Sequence, residues 1–192
     1  MTVVIKRVSE HAELLGIKAL QQANLGCHLE AAEREREGFV TAEYELDYLE
    51  QMQRACPSVI AKQGASVVGY ALVVQRETGQ DHPLLSGLVA ATDRQTLRGV
   101  PLTALNYILC GQLCVAKSHR GGGLTAALYN YFGEELSRRF DGVVTDVARD
   151  NPRSLRAHLK AGFEVFGELA YGGLVWDLVL CDWRGRAGSP RG

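Results

Sequence analysis

The sequence predicts an α/β protein built on a mixed β-sheet, and the distribution of strands and helices along the chain supports this. The first half holds two apolar segments joined by a turn at Gln63 and Gly64, which is typical of an antiparallel hairpin. The second half alternates apolar strands with amphipathic helices. No repeat or linker interrupts the 192 residues, so we predict a single domain over 1–184 and a disordered tail over 185–192.

The first half is predicted to contain one short strand, two helices and the two strands of the hairpin. Alternating apolar residues mark the strands, and leucines at helical spacing mark the helices. The expected ranges are 3–8 for the first strand, 10–24 and 42–54 for the helices, and 58–62 and 66–75 for the hairpin. Residues 77–101 carry glycines, prolines and weak periodicity, so we expect a functional or mobile connection there.

The second half is predicted to continue strand by helix to the end of the domain. Strands over 107–116 and 143–148 precede helices over 124–140 and 152–160. Gly162 and Phe163 then open another strand. The segment 169–183 contains two apolar runs around a pair of glycines, and we expect these to be the last strands of the sheet.

Composition and charge exclude several classes of function. The net charge is −1 and the Lys and Arg residues are spread along the chain, which leaves no basic field for nucleic acid. No run of 18 apolar residues is present, so we expect no membrane span. The five cysteines form no CxxC pair and follow no secretion signal, which favours a reducing cytoplasm and disfavours a metal site. Whether the protein forms a homodimer is left open.

The segment from Gln112 to Thr125 predicts a site for a polyphosphate. An apolar strand runs into Arg120 and three glycines, and a helix follows at once. Consecutive glycines let the backbone approach an anion, and the free N–H groups and dipole at the start of a helix favour negative charge. A P-loop requires Lys and then Ser or Thr after its last glycine, and a dinucleotide fingerprint requires another glycine spacing, so neither motif fits.

Two segments of the chain resemble the motifs of the GNAT N-acetyltransferase superfamily. Residues 120–125 are similar to its R/Q-x-x-G-x-G/A signature, with Thr125 where glycine or alanine is usual. Residues 151–163 are similar to its second cofactor segment, N-x-x-A-x-x-x-Y-x-K-x-G-F, with Ser154 in place of the alanine and His158 in place of the tyrosine. Two motifs in the right order, about 30 residues apart, are more specific than either alone.

The resemblance implies both a fold and a cofactor. It implies a sheet of about six to seven strands with about four flanking helices, in which strands 107–116 and 143–148 splay apart and admit acetyl-CoA. The pantetheine arm would pair with the backbone of the first of these strands, and the phosphates would lie on the glycine loop. The cofactor-binding residues implied in this way are Leu113, Cys114, Val115, Arg120, Gly121, Gly122, Gly123, Leu124, Thr125, Asn151, Ser154 and His158.

His158 is the predicted catalytic residue. Acetyl transfer needs an amine that loses a proton and a thiolate that leaves, and the superfamily usually assigns the return of a proton to sulfur to the tyrosine that His158 replaces. An imidazole donates a proton near neutral pH more readily than a phenol. The alternative is that His158 packs on the cofactor or faces solvent.

The general base is left open, because the strand glutamate often found in this superfamily corresponds to Gln112. A water chain or another carboxylate must then serve, and the candidates are Glu30, Glu33, Glu35 and Glu37. We expect an acceptor pocket bounded by residues 28–41, 77–101 and 171–174. Phe39 and Tyr171 are its candidate aromatic walls.

The leading hypothesis is an acetyl-CoA-dependent N-acetyltransferase that acts on the primary amine of a small molecule. Direct transfer to an amine needs no acyl-enzyme, so Cys114 is not expected to act as a nucleophile. One alternative is an acyl-CoA-binding sensor on the same fold that no longer catalyses. Another is an acetyltransferase that acts on a protein N-terminus or lysine.

Overall fold

The computed structural model describes residues 2–26 and 40–184, and these residues form helices and strands in alternation. The helices are α1 (His11–Gln22), α2 (Leu46–Ala55), α3 (Arg76–Gln80), α4 (Ser86–Asp93), α5 (Leu124–Leu136) and α6 (Pro152–Lys160). The strands are β1 (Val3–Arg7), β2 (Val59–Gln63), β3 (Ser66–Val74), β4 (Thr96–Leu97), β5 (Val100–Pro101), β6 (Tyr107–Val115), β7 (Gly142–Ala148), β8 (Glu164–Tyr171) and β9 (Leu174–Asp182).

Seven of the strands form one mixed sheet in the order β1-β2-β3-β6-β7-β9-β8. Strands β6 and β7 are parallel, and every other neighbouring pair in this sheet is antiparallel. Strands β4 and β5 form a separate two-stranded ribbon. The predicted mixed sheet is confirmed, with the one parallel pair at its centre.

The parallel pair is short, and its two strands separate beyond it. Pairing joins Tyr107–Leu109 to Gly142–Val144, although both strands continue past these residues. On its other edge β6 has a register shift against β3 between Cys110 and Leu113. Such a bulge bends and twists the strand that carries it. The second half of β6 therefore turns away from β7 and leaves a gap between the two strands.

Helices cover both faces of the sheet, which explains why its central strands are apolar on both sides. Helices α1 and α2 pack against β3 on one face, and α5 packs across β1, β2, β3 and β6 on the other. Leu128, Phe132 and Leu136 repeat every fourth residue of α5 and are all buried. Each face thus has its own apolar core.

The two predicted tight turns join β2 to β3 and β8 to β9. The first turn lies on Gly64 and Ala65, one residue later than the predicted Gln63 and Gly64, and Gly64 has a φ of 61°. The second lies on Gly172 and Gly173, whose φ values are 61° and 75°. Positive φ at both central residues suits a two-residue hairpin turn and strongly favours glycine.

The largest difference from the sequence-based expectations concerns residues 77–101. This connection folds into the last residues of α3, then α4 and the β4–β5 ribbon, and the expectation that it is functional or mobile stays a prediction. Leu85, Leu88 and Val89 are buried in the core. Helices this short are marginal alone and are stabilised by packing, which the local sequence does not reveal.

Two predictions concern parts of the chain that the structure leaves undescribed. The tail 185–192 lies outside the described residues, and the single domain over 1–184 stays a prediction. In the ranges 2–26 and 40–184, no helix has both the length and the apolar character needed to cross a membrane.

Candidate active site

Three glycines connect the end of β6 to the start of α5. Gly121 and Gly123 have φ values of 83° and 80°, a conformation that side chains disfavour. Gly123 is also the residue at which α5 is capped. A Cβ added at Gly121, Gly122 or Gly123 would meet open space, so the loop presents bare backbone. This is the arrangement that lets an anion approach main-chain N–H groups.

A cavity of about 380 Å³, which we call the loop cavity, lies between the glycine loop, the end of β6 and α6. The first residues of α5 and α6 both contribute to its wall, and helix N-termini attract anions. Among the described residues, its wall has no Asp or Glu. Its Arg and Lys residues are Arg120, Arg153, Arg156 and Lys160. The cavity therefore suits a ligand with several negative charges.

The structure brings most of the predicted cofactor-binding residues to the loop cavity. Those in its wall are Leu113, Cys114, Val115, Arg120, Gly121, Gly123, Leu124, Thr125, Asn151, Ser154 and His158. Gly122 belongs to the loop but not to the wall. Arg153 and Arg156 were missed by the sequence analysis. One signal was available in the sequence: both residues flank Ser154 within the second cofactor segment.

A second cavity of about 270 Å³, which we call the gap cavity, lies where β6 and β7 separate. It is bounded by Thr41, by Leu84 and Leu85, and by the β8–β9 turn, three of the segments in which the sequence analysis placed an acceptor pocket. Tyr171 lies at its rim and is 48% exposed. The other predicted wall, Phe39, lies outside the described residues, as do Glu30, Glu33, Glu35 and Glu37.

The loop cavity and the gap cavity meet. Both are lined by Val40, Leu113, Asn151, Ser154 and His158. A ligand that lies along the glycine loop can therefore extend past His158 into the gap between the strands. The arrangement allows two ligands to meet near His158, one from each cavity.

His158 is held at this junction by the start of α6. Asn151 caps the helix, its side chain accepting a hydrogen bond from the Ser154 N–H at 3.2 Å, and Pro152 occupies the first turn. Ser154 and His158 are four residues apart and so lie on one face of the helix. The Nδ1 of His158 lies 2.8 Å from the Ser154 carbonyl oxygen.

Because a carbonyl oxygen accepts hydrogen bonds only, this contact assigns the imidazole proton to Nδ1. The side chain is 5% exposed, and burial lowers the pKa of His158 to about 4. The imidazole is therefore neutral near pH 7. The alternative that His158 faces solvent is excluded.

A family model described as the acetyltransferase (GNAT) family matches residues 17–163, well over half of the chain. The protein belongs to the GNAT acetyltransferase family. A search among curated protein sequences finds no significant match.

Solved structures with the same fold include several N-acetyltransferases. The NatC complex bound to a Gag peptide and CoA is 14% identical, with a TM-score of 0.66, and the match covers 95% of this chain and 99% of that one. A putative acetyltransferase, yncA of Salmonella typhimurium with acetyl-CoA, is 16% identical, with a TM-score of 0.62 and 98% coverage of both chains. A ribosomal-protein-alanine N-acetyltransferase of Brucella melitensis is 20% identical, with a TM-score of 0.60, covering 94% and 99%. These likenesses show the fold.

Among the described residues that line the gap cavity of this GNAT domain, Asp146 is the one acidic residue, and none is Lys or Arg. It lies on β7 beyond the last residue paired with β6. Burial raises the pKa of Asp146 to about 6. This residue was not among the predicted site residues, although an Asp inside the apolar strand V-V-T-D-V-A was a visible signal.

Gln112 belongs to a network that supports the gap cavity. Its Oε1 accepts hydrogen bonds from Gln21 at 2.9 Å and from the Tyr70 hydroxyl at 2.6 Å. Its Nε2 donates to the Ala42 carbonyl at 2.7 Å. An ionised glutamate would accept but could not donate, so it would lose the bond to Ala42. The amide thus ties the segment before α2 to the strand beside the gap.

The contacts of Arg120 bear on its predicted role, and the burial of Cys114 bears on its reactivity. The Nε of Arg120 donates to the Val115 carbonyl at 2.9 Å, and its Nη2 donates to the side chain of Asn24. These bonds hold the glycine loop to the end of α1, and phosphate binding by Arg120 stays a prediction. Burial raises the pKa of Cys114 to about 11, so its thiol is not ionised near pH 7 and is a poor nucleophile.

Proposed function

We propose that this protein transfers the acetyl group of acetyl-CoA directly to the primary amine of a small molecule. The observation that carries this proposal is the junction of two cavities of opposite charge. In the described walls, the loop cavity is lined by cations and the gap cavity by one carboxylate, and His158 lies in the wall of both. An anionic acyl donor and a cationic acceptor would meet there.

The residues of the loop cavity fit acetyl-CoA. Its phosphates would lie on the bare backbone of Gly121 to Gly123 and near Arg153, Arg156 and Lys160. Past Leu109, β6 has no partner strand on its β7 side among the described residues, so Leu113 to Val115 have main-chain groups available to the pantetheine amides. When bound, acetyl-CoA supplies the activated thioester.

The gap cavity supports a small acceptor. At about 270 Å³ it accommodates a compact amine, and its carboxylate favours the cationic form of that amine. A peptide N-terminus is the second candidate, because Leu84 and Tyr171 at the rim are 36% and 48% exposed and would be covered by a longer acceptor. Of the structures with this fold, the NatC complex is bound to a Gag peptide, and the Brucella melitensis protein is named a ribosomal-protein-alanine N-acetyltransferase.

For His158 the proposal is a proton relay at the junction. The imidazole is neutral at the start of the reaction because burial holds its pKa at about 4. Its Nε2 would exchange the hydrogen bond that it accepts from the Tyr129 hydroxyl for the proton that the nitrogen loses after attack. The imidazole would then pass a proton to the departing sulfur, whose developing negative charge favours imidazolium formation. The un-ionised thiol of Cys114 supports direct transfer without an acyl-enzyme.

The cytoplasm is the proposed location of this activity. Cys56, Cys110, Cys114 and Cys181 are buried free thiols, which persist in a reducing compartment.

The proposed function is tested by mass-spectrometric detection of acetyl transfer from acetyl-CoA to a panel of amines. The panel contains polyamines, amino acids, aminoglycosides and short peptides, with thioester hydrolysis in the absence of amine as the blank. Transfer to small amines with a higher kcat/KM than to peptides supports the proposal. A preference for peptides moves the assignment to protein N-termini. Binding of acetyl-CoA by calorimetry with no transfer to any amine favours a sensor.

A further inference from the structure

Asp146 combines partial burial and a position in the gap with the lack of a cationic partner among the described residues. It follows the last residue of β7 that pairs with β6, and strand alternation puts it on the face of Val144, which α1 and α2 cover. Its side chain reaches the gap cavity and is partly buried. Among residues 2–26 and 40–184, no cation lowers its pKa, and burial is the main influence on it.

A buried carboxylate without a cation is costly for the folded protein. The two acidic side chains that are almost fully buried in the described chain are paired with cations: Glu13 is bound by Lys6 and Lys62, and Asp177 is bound by Arg149. The ammonium group of an amine bound in the gap cavity would supply such a cation. The gap cavity leaves space for that cation in front of the carboxylate.

Several titratable groups face Asp146 from the elements around it. They are Tyr44 before α2, Cys110 on β6, His158 on α6 and Tyr171 on β8. Burial raises the pKa of Tyr44 well above its usual value and that of Cys110 to about 12, and it lowers that of His158 to about 4. The protonation state of these three groups therefore does not change between about pH 5 and 8.

His82 is a further titratable group near this wall. It stacks on Tyr48 at 3.8 Å between ring centroids and lies 5.4 Å from the Tyr44 ring, behind the wall of the gap cavity. Burial lowers its pKa. A pH experiment therefore needs a His82 variant beside the Asp146 variants.

We propose that Asp146 is the general base that removes a proton from the ammonium group of the acceptor. This inference rests on the proposed function and assigns its missing base. The carboxylate sits in the gap, open to the cavity that shares His158 with the cofactor side, and it is the acidic side chain in the described wall. Gln112 lies at the strand position where the superfamily often has a glutamate. Its side-chain amide cannot accept the proton and is hydrogen-bonded to the segment before α2.

The reaction balances with the groups at hand. The Asp146 carboxylate takes one proton from the bound ammonium and becomes a neutral acid. The neutral amine attacks the carbonyl carbon of the thioester, the C–N bond forms, and the electron pair of the breaking C–S bond leaves with sulfur. A second proton from the nitrogen passes through His158 to the thiolate, and Asp146 returns its proton to solvent. The products are the acetamide, CoA thiol and one proton.

The test measures kcat and KM for the best amine from pH 5 to 9 at saturating acetyl-CoA. The variants are Asp146→Asn and Asp146→Glu, with Asp150→Asn as the matched control, because Asp150 lies four residues further along the chain and outside both cavities. His82→Gln tests the neighbouring imidazole. The Kd of acetyl-CoA, measured by calorimetry, shows that each variant is folded and binds the donor.

The wild-type rate is expected to fall below about pH 6, because a protonated carboxyl cannot accept a proton. Asp146→Asn should lower kcat by about 100-fold or more and remove this acid limb, while the Kd of acetyl-CoA changes less than about twofold. Asp146→Glu should keep the limb at a reduced rate. Asp150→Asn and His82→Gln should behave like the wild type.

Two results would overturn the inference and leave the proposed function intact. A higher KM with unchanged kcat in Asp146→Asn would mean that the carboxylate only pairs with the ammonium group. An acid limb that persists in that variant would place the base elsewhere, with the glutamates between residues 30 and 37 as the next to replace. A wild-type protein that acetylates no amine at any pH would overturn the proposed function itself.

Discussion

The hydroxyl of Tyr129 lies 2.8 Å from the Nε2 of His158, and both side chains are buried. Because the Nδ1 proton of His158 is donated to Ser154, Nε2 accepts this bond and the tyrosine donates it. The pair packs against Phe163, whose ring lies 4.6 Å from that of Tyr129 between centroids. Both ring nitrogens of His158 are hydrogen-bonded and aromatic rings surround the imidazole, so the folded protein favours its neutral form.

His158 is expected to make the protein less stable as the pH falls from about 6.5 towards 4. In the unfolded chain the imidazole takes up a proton near pH 6.5, whereas burial holds its pKa at about 4 in the folded protein. The unfolded state therefore binds more protons in this interval, and at pH 5 the contribution lost is about 2 kcal/mol. Urea unfolding of the wild type and His158→Gln at pH 7 and 5 measures it.

His119→Gln is the control for this experiment, because His119 is partly exposed and lies in the short 3-10 turn after β6. It should retain the wild-type dependence on pH. An equal dependence in His158→Gln and the wild type would contradict the assignment.

Asp146→Asn is expected to be more stable than the wild type at pH 7. Burial raises the pKa of Asp146 from 3.8 to about 6, so the folded state binds more protons than the unfolded state between these values. The contribution of Asp146 to stability thus falls as the pH rises through this interval, by up to about 3 kcal/mol. Denaturant unfolding should show the variant more stable at pH 7 and the difference smaller at pH 4. Asp150→Asn should change the free energy of unfolding by less than about 0.5 kcal/mol.

Gln112→Glu is expected to weaken acceptor binding without weakening donor binding. The new carboxylate cannot donate to the Ala42 carbonyl, so the segment before α2 loses its tie to β6. The KM of the amine should rise, the Kd of acetyl-CoA should stay unchanged, and the free energy of unfolding should drop by about 1–3 kcal/mol. Gln80→Glu, at the exposed end of α3, makes the same chemical change and should have none of these effects. An unchanged KM in Gln112→Glu would separate the network from the acceptor.

Gly123→Val is expected to weaken acetyl-CoA binding by at least about tenfold, because a side chain would fill the open side of the loop and strain its backbone. Gly99→Val is a matched control: Gly99 has a φ of 81°, open space around its Cβ position and no part in either cavity. Both variants should lose about 1–2 kcal/mol of unfolding free energy from the positive φ. Calorimetric titration then distinguishes them. Equal Kd values for Gly123→Val and the wild type would remove the glycine loop from the donor site.

Local features of the sequence determined the elements around the donor site. Asn151, Pro152 and Gly162 are cap and end signals, and they predicted α6 at the bounds that the structure has. The glycines at 121–123 and 172–173 predicted a loop and a turn that require positive φ. Such signals act within a few residues, so they can be read along the chain.

Tertiary structure alone decided the features that depend on distant residues. The pKa of Asp146 depends on its burial in a gap that opens because β6 bulges against β3. The neutrality of His158 depends on Tyr129, from another helix, and the role of Gln112 depends on Gln21, Tyr70 and Ala42. The short helices α3 and α4 form because Leu85, Leu88 and Val89 are buried. Burial and hydrogen bonding between distant segments leave no repeating pattern in the local sequence. The sequence therefore determined the helices, turns and loop around the site, and the tertiary fold decided the pKa values and contacts of its residues.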